Sequence, residues 1–309
     1  MPASGLKEVR VVTHSGSFHP DDVFAVAVLV ILFEKKFAVQ IIERSRDPKI
    51  WGRADFLVDV GRRYSPESNL FDHHQVGGAG ERPNGAPYAS FGLVWKKFGD
   101  EICAGDAVVA TEIDKAFVQS IDALDNGIGE LKPVMDGVYP YSIGRAVLSL
   151  NPSWRDERPD FDKAFGQAVD FAVPVLRRAI AEARDFIEGE RLARISYEAA
   201  VDKRIVVLDY SYPADNLFSN LPEPLYIVEP AFESANEVSW RLKTVRDNPQ
   251  SFVNRRDLPA AWAGKCDEEL VVASGVPDAI FCHTKRFVAY AKTKEGAMTL
   301  AKLALEMQN

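Results

Sequence analysis

Along the first hundred residues, short valine- and isoleucine-rich runs alternate with longer apolar stretches, the pattern of strands interleaved with helices. Glu8–Thr13 reads as a buried strand. A helix is expected to start at Asp21 or Asp22, with acids at its positive N-terminal end, and to run to about Lys36. Val39–Glu43 and Phe56–Val60 read as further strands, the latter stopped by Gly61. Turn-rich sequence fills Val76–Pro87. Helical stretches follow at Ala89–Phe98 and Glu101–Ile121, the second with apolar residues at Ile102, Val109, Ile113, Phe117 and Ile121. Asp122–Gly127 then reads as a polar turn. Phe161–Glu190 predicts a long helix that Pro174 should kink or split. Strands are expected at Arg204–Asp209, Leu225–Glu229, Val238–Val245 and Ala279–His283, before a last helix, Lys294–Met307. Strands alternating with helices predict an α/β fold with a mostly parallel first sheet.

A chain of 309 residues is long enough for two modest domains. The longest apolar run, Val23–Phe33, stops at Glu34, Lys35 and Lys36, too short to span a bilayer of about 20 apolar residues. Met1–Arg10 has no apolar stretch of the kind a secretory signal needs. The cysteines, Cys103, Cys266 and Cys282, are odd in number and widely spaced. They suggest buried thiols in a reducing compartment, so a cytoplasmic location is expected. The net charge of −8 argues against coating nucleic acid through overall positive charge, but not against holding a phosphodiester locally.

Histidine is the informative residue. Four of the five lie in two short motifs, Thr13-His-Ser-Gly-Ser-Phe-His-Pro-Asp-Asp22 and Phe71-Asp-His-His-Gln75. The first follows an apolar strand and precedes an apolar helix, where ligands bind at the carboxyl ends of α/β sheets. In the second, adjacent histidines point different ways, so one could ligate a metal while the other faces substrate or acts as an acid. Asp59 ends the strand between them; buried, it would be costly without a partner, and bridging two metals would offset that cost. Mixed His and Asp ligands suit Mn²⁺, Zn²⁺ or Fe²⁺ at one position, and a carboxylate-rich set suits Mg²⁺ or Mn²⁺ at another. Each motif alone is more often a helix cap or a surface pair. It is their combination with Asp59 that points to a metal centre.

These residues resemble a known group. Asp72-His73-His74 looks like the signature of the DHH phosphoesterases. The first motif, Val58-Asp-Val-Gly61, the second motif and Ile121-Asp-Ala-Leu-Asp-Asn-Gly127 are similar to the melanocyte proliferating gene one branch of that group. So are Ser251–Arg255, Leu258–Trp262, Phe281–His283 and Thr293–Gly296. The resemblance implies a DHH-type parallel-sheet domain with helices on both faces at 1–155, a helical linker at 156–192 and a smaller α/β domain at 193–309. It implies two divalent ions, Mn²⁺ or Mg²⁺. His19 or His14, with Asp21 and Asp22, would supply first-motif ligands, Asp59 would bridge, and His73 and Asp125 would complete the set. His74 would act as an acid, with His14 as a second catalytic candidate. The implied activity is 3′–5′ exonuclease action on RNA. Two departures stand out: the spacing between the first-motif histidines and Asp21 differs from the usual H-x-x-x-D-x-D, and Pro20-Asp21-Asp22 stands where the family has Cys-Asp-Glu.

For substrate, His283, Lys285, Arg286, Arg241 and Arg255 are candidate phosphate contacts, arginine being suited to bidentate pairing. Phe252, Trp240 and Trp262 could stack bases, but core packing is the expected role for each. The expected partner is single-stranded RNA, an oligonucleotide or a nucleotide, with no membrane, and a homodimer left open. The alternatives are a small-molecule phosphohydrolase, acting on pyrophosphate, a bisphosphate nucleotide or a cyclic dinucleotide, and a metal-binding protein without turnover.

Overall fold

A computed structural model describes residues 8–35, 39–128, 132–234 and 237–307. The chain divides into two compact units, Met1–Arg184 and Asp185–Asn309. Each holds a five-stranded sheet with helices packed on it, a mixed α/β architecture.

In the first unit, β1 (Glu8–Thr13) leads into α1 (Pro20–Lys35), followed by β2 (Val39–Arg44), the short α2 (Pro48–Trp51) and β3 (Phe56–Val58). The two-residue strands β4 (Tyr64–Ser65) and β5 (Leu70–Phe71) come next. The sheet order is β2-β1-β3-β5-β4, parallel except for the β4–β5 pair. Three parallel strands therefore end side by side, at Thr13, Val58 and Phe71. Alternate residues of β1 face opposite ways. Val12 packs with Leu57, Val60, Ile50 and Trp51, while α1, nearly all buried, packs against α3 (Ser90–Ile102). The expected end of α1 at Lys36 lies outside the described residues.

The structure breaks the expected 101–121 helix. Cys103 caps α3, and Ala104 and Gly105 turn the chain with positive φ of 63° and 83°. Asp106 then caps α4 (Ala107–Ile113), its carboxylate accepting from the N–H groups of Val108 and Val109. Helix α4 passes through a π-helical turn, Asp114–Val118, into α5 (Gln119–Asp125). Asp122–Asp125 is therefore helical rather than the expected turn, which is confined to Asn126 and Gly127 (φ 69°). After α6 (Ile143–Leu148), α7 (Phe161–Ala199) forms 39 residues of continuous helix. Pro174 removes one donor but does not split it.

In the second unit the order is β6 (Ile205–Val207), α8 (Asp215–Asn220), β7 (Tyr226–Ser234), β8 (Glu237–Thr244), α9 (Asp267–Ser274), β9 (Ala279–Cys282), β10 (Val288–Ala291) and α10 (Lys294–Glu306). The sheet runs β6-β7-β8-β10-β9, with only β6 and β7 parallel. One cluster joins Tyr226, Val228, Leu242, Trp262 and Leu300; another joins Val206, Ile227, Leu217 and Phe218. Trp262 is core, whereas Phe252 is 86% exposed, against the packing role expected for it. Cys103 and Cys282 are buried, but Cys266 is exposed, which corrects the expectation of three buried thiols.

Candidate metal centre

The parallel strand ends carry the chemistry. His14 follows β1, Asp59 follows β3, and Asp72, His73 and His74 follow β5. The first turn of α1 adds Asp21 and Asp22, and the last residue of α5 adds Asp125. Asp59 adopts a left-handed backbone with φ 55°, uncommon outside glycine, and its N–H donates to Phe71 O at 3.0 Å. The expected strand to Val60 therefore ends at Val58, so that the Asp59 carboxylate can turn out of the sheet.

His14 Nε2 lies 3.1 Å from Asp22 Oδ2 and 3.3 Å from Asp59 Oδ2. His73 Nε2 lies 3.1 Å from Asp125 Oδ2, 3.4 Å from Asp59 Oδ1 and 3.8 Å from Asp21 Oδ2. Asp59 thus presents one oxygen to each imidazole. Ser90 Oγ donates to Asp59 Oδ1 at 3.0 Å, and the Ser90 N–H, at the positive end of α3, donates to Asp21 Oδ2 at 3.3 Å. The His19 N–H donates to Asp22 Oδ1 at 3.0 Å. His74 stands over the rim with its side chain 56% exposed; its Nδ1 lies 2.9 Å from Asp72 Oδ1, and its N–H donates to the same oxygen.

Three overlapping sets bring ligand atoms together: His14, His19 and Asp59; Asp59, His73 and His74; and His19, Asp21 and Asp125. Asp59 belongs to two of them. Both first-motif histidines belong to these sets, His14 to one and His19 to two, with ring centroids 5.7 Å apart.

Electrostatics favour an occupant. Burial alone would lower the pKa of His14, but Asp22 and Asp59 raise it to about 10; His73, against Asp125 and Asp59, is likewise raised to about 10. Burial opposes the ionised form of Asp59, yet the two imidazoles hold its carboxyl well below the usual range. Burial, and then the charges of Asp59, Asp125 and Asp22, push Asp21 well up; burial also raises Asp22, against the pull of His14. Four buried atoms here, Nε2 of His14 and of His73, Oδ1 of Asp21 and Oδ2 of Asp22, make no well-directed hydrogen bond; the two imidazole nitrogens have only carboxylates of the same centre as close neighbours. Imidazole and carboxylate groups buried together and turned toward one another fit divalent cations that take mixed N and O ligands.

A second buried network stands behind the centre. Arg82 pairs through Nη2 with Asp122 Oδ2 at 2.8 Å and Asp114 Oδ1 at 2.7 Å, and its guanidinium lies 4.2 Å from the centroid of the Tyr88 ring. Asp122 Oδ1 accepts from the Gly92 N–H at 2.9 Å. Burial raises Asp122 to about 7 despite Arg82. Asp122 thereby ties α5, which carries Asp125, to the N-terminus of α3 through Gly92 and to the preceding loop through Arg82.

A cavity of about 610 Å³ opens on the centre, lined by His14, His19, Asp59, Asp72 and His74, and also by Arg46, Trp51 and Arg62. The last three have no place in the sequence motifs. The only signal for them was proximity in the chain: Arg46 and Trp51 follow β2, and Arg62 is three residues past Asp59.

The second-unit candidates are spread over that unit. Arg241 Nε meets buried Glu229 at 2.7 Å, and its Nη2 donates to Ser211 Oγ. Arg255 donates to the carbonyls of Leu221, Pro224 and Ser219. Arg286, with φ 58°, pairs with Asp257 at 2.6 Å. His283 Nδ1 accepts from the Lys285 N–H at 3.0 Å, and its ring lies 4.5 Å from that of Phe287. Lys285 lines a separate cavity of about 470 Å³ with Lys243, Arg246 and Phe252.

Comparison with known proteins adds an independent line. A family model described as an uncharacterised protein family, UPF0160, whose short name marks it as MYG1 exonuclease, matches residues 10–305. A MYG1 protein of Saccharomyces cerevisiae is 33% identical over 328 aligned positions, covering 96% of this chain and 95% of that protein. The MYG1 exonucleases of Bos taurus and Homo sapiens are 32% and 30% identical, covering 96% and 97% of this chain and 84% and 86% of their own. Among solved structures, RecJ of Thermus thermophilus in complex with Mg²⁺ aligns with 97% of this chain and 50% of its own at 14% identity. Its TM-score of 0.29 is too low to inform fold or function.

Proposed function

The chain belongs to the UPF0160 (MYG1) family, and from that membership and the His/Asp centre we propose that it is a divalent-metal-dependent exonuclease that shortens single-stranded RNA from its 3′ end. The observation that carries the reading is the convergence of His14, His19, Asp21, Asp22, Asp59, His73 and Asp125 around a shared carboxylate. Those seven residues would hold two ions, Mn²⁺ or Mg²⁺. When bound, such a pair supplies Lewis acidity at phosphoryl oxygens and a nucleophile at neutral pH.

His74 is proposed as the general acid. Hydrogen bonding to Asp72, opposed by partial burial, raises its pKa, which keeps more of the ring protonated near neutrality. With Nδ1 held by Asp72, Nε2 is the nitrogen that can give its proton to the leaving oxygen. His14 joins the ligands rather than the proton path, since its Nε2 faces Asp22 and Asp59. Lys285 and His283 of the second unit remain proposed substrate contacts. Among the described residues, no helix is long and apolar enough to cross a membrane.

The test is Mn²⁺-dependent hydrolysis of 3′- and 5′-end-labelled short RNAs by wild type, Asp59→Asn and His74→Ala. Laddering of the 5′-labelled strand by wild type alone supports the reading. Intact RNA with protein of proven metal content would sink it. A small phosphorylated substrate is the second reading, favoured by the net charge of −8, which repels long polyanions at low salt.

A further inference from the structure

Four arginines around the His/Asp centre are of two kinds. Arg44 and Arg82 are buried and paired with carboxylates, at 3.5 Å to Asp162 and 2.7–2.8 Å to Asp114 and Asp122. Arg46 and Arg62 are exposed, line the cavity over the His/Asp centre and, among the described residues, form no ion pair. Neither guanidinium has a carboxylate partner among the described residues, Arg46 Nε donating only to Ser15 O at 3.4 Å, and both stand on a cavity where an anion can reach them.

Arg46 illustrates the point. Its Nη2 lies 3.3 Å from His14 Nδ1, and the same Nδ1 lies 3.2 Å from Ser15 O. A metal-ligating imidazole commonly gives its other N–H to a carbonyl. Ligation through Nε2 puts the proton on Nδ1, where it goes to Ser15 O. Nδ1 then has no lone pair for Arg46, whose Nη2 is left facing the cavity. Arg62 is held differently. It sits in a loop where Asp59, Gly61 and Arg62 all have positive φ (55°, 101° and 53°), and its N–H donates to Asp72 Oδ2 at 2.5 Å. A left-handed arginine is strained, and strain of this kind clusters at working sites. Beside them, Trp51 packs against the Val12–Leu57–Val60 cluster and also lines the cavity, its indole N–H fixed to Ser45 O at 3.0 Å.

We propose that Arg46, Arg62 and Trp51 form the substrate rim of this centre and hold the terminal nucleotide of a single strand, with phosphate on the two guanidiniums and base on the indole. The inference rests on the centre acting on phosphoesters. A cavity of about 610 Å³ falls in the usual range for small ligands and suits one nucleotide with its phosphate. Guanidinium matches phosphate in bidentate geometry, and aromatic rings accept any base face.

The test is calorimetric titration of the Mg²⁺-saturated full chain with AMP and, separately, with inorganic phosphate. Arg46→Gln and Arg62→Gln should each weaken both ligands about 10-fold or more, the loss expected for a charge-assisted hydrogen bond. Trp51→Leu should weaken AMP roughly 5- to 50-fold while leaving phosphate within about twofold. Because Trp51 also packs on the core, Trp51→Phe serves as rescue and should recover most of the AMP affinity. Arginine variants that bind both ligands as wild type does, or a Trp51→Leu loss equal for AMP and phosphate, would overturn the proposal. A protein that binds AMP in this pattern yet cleaves no RNA would refute the exonuclease reading and leave the rim standing. Cleavage of RNA with AMP binding unaffected in all variants would do the reverse.

Discussion

Gly92→Ala is the sharpest single test of the support behind the centre. Gly92 lies in the first turn of α3, and a Cβ built there would meet Asp122 Oδ2 at 1.8 Å, Arg82 Nη2 at 2.6 Å and Asp122 Cγ at 2.8 Å. No rotamer change at an exposed tip relieves this, because the Arg82 and Asp122 side chains are 3% and 0% exposed. The methyl must separate the ion pair or push α5 away from α3. Disrupting a buried pair costs roughly 3–5 kcal/mol. The helix preference of alanine over glycine returns about 1 kcal/mol. The net destabilisation is then about 2–4 kcal/mol, or a fall in Tm of roughly 4–16 °C at about 2–4 °C per kcal/mol. Gly166→Ala in α7 is the control: nothing lies within 4 Å of its Cβ, so it should stabilise by about 0.5–1 kcal/mol. Both are read by thermal melts of metal-free protein, followed by Mn²⁺ titration. Gly92→Ala should also bind Mn²⁺ more weakly, since α5 carries Asp125. A Gly92→Ala protein that melts with wild type would refute the view that this contact is tight and sustained.

Asp59→Asn keeps a side chain that tolerates left-handed φ but removes the shared charge; Mn²⁺ affinity should fall at least about 100-fold with the far-UV spectrum unchanged, as measured by calorimetry and circular dichroism. Metal-free protein should lose stability as pH rises: His14 and His73 go from about 6.5 unfolded to about 10 folded, so their contribution is whole below 6.5 and disappears through about 10, whereas the lowered pKa of Asp59 adds stability above its ordinary 3.8 that is lost on acidification. Because ligation needs neutral imidazole and ionised carboxylate, Mn²⁺ binding near pH 7.5 should release at least about two protons, from His14 and His73, with Asp21 able to add to them, read from the buffer dependence of the binding heat. Arg62→Gly should raise the Tm, by relief of about 1 kcal/mol of left-handed strain, while weakening AMP binding. Of the three thiols, only Cys266 should react quickly with a disulfide reagent in the native state, with Cys103 and Cys282 following on denaturation.

What could be read in the chain depended on how local the determinant was. His14, His19, His73 and His74 are rare residues in tight clusters beside apolar strands, so the candidate metal centre was legible. Asp59 was legible for the same reason, as a carboxylate closing a run of apolar residues. Arg46, Trp51 and Arg62 were not, because their only distinction is where β2 and the 59–62 turn deliver them. The misread 101–121 helix has a plain cause: its apolar spacing continues across Ala104 and Gly105, and periodicity does not register two left-handed residues. Asp122 looked like a turn residue because acids favour turns; its burial against Arg82 comes from 40 residues upstream.

The π-helical turn at Asp114–Val118 bears on how this chain can change over generations. One residue more than an α-helix needs is accommodated there, and each residue of helix turns the chain by about 100°. A one-codon deletion within the turn would let the helix close into regular form with every side chain downstream intact. Because the extra residue is absorbed within the turn, Asp122 and Asp125 would keep the faces they now present. The same deletion a few residues later, in the α-helical stretch leading to Asp125, has no such slack and would swing the residues beyond it by about 100°. In this segment, inheritance can therefore lose a residue at one place and not at its neighbour.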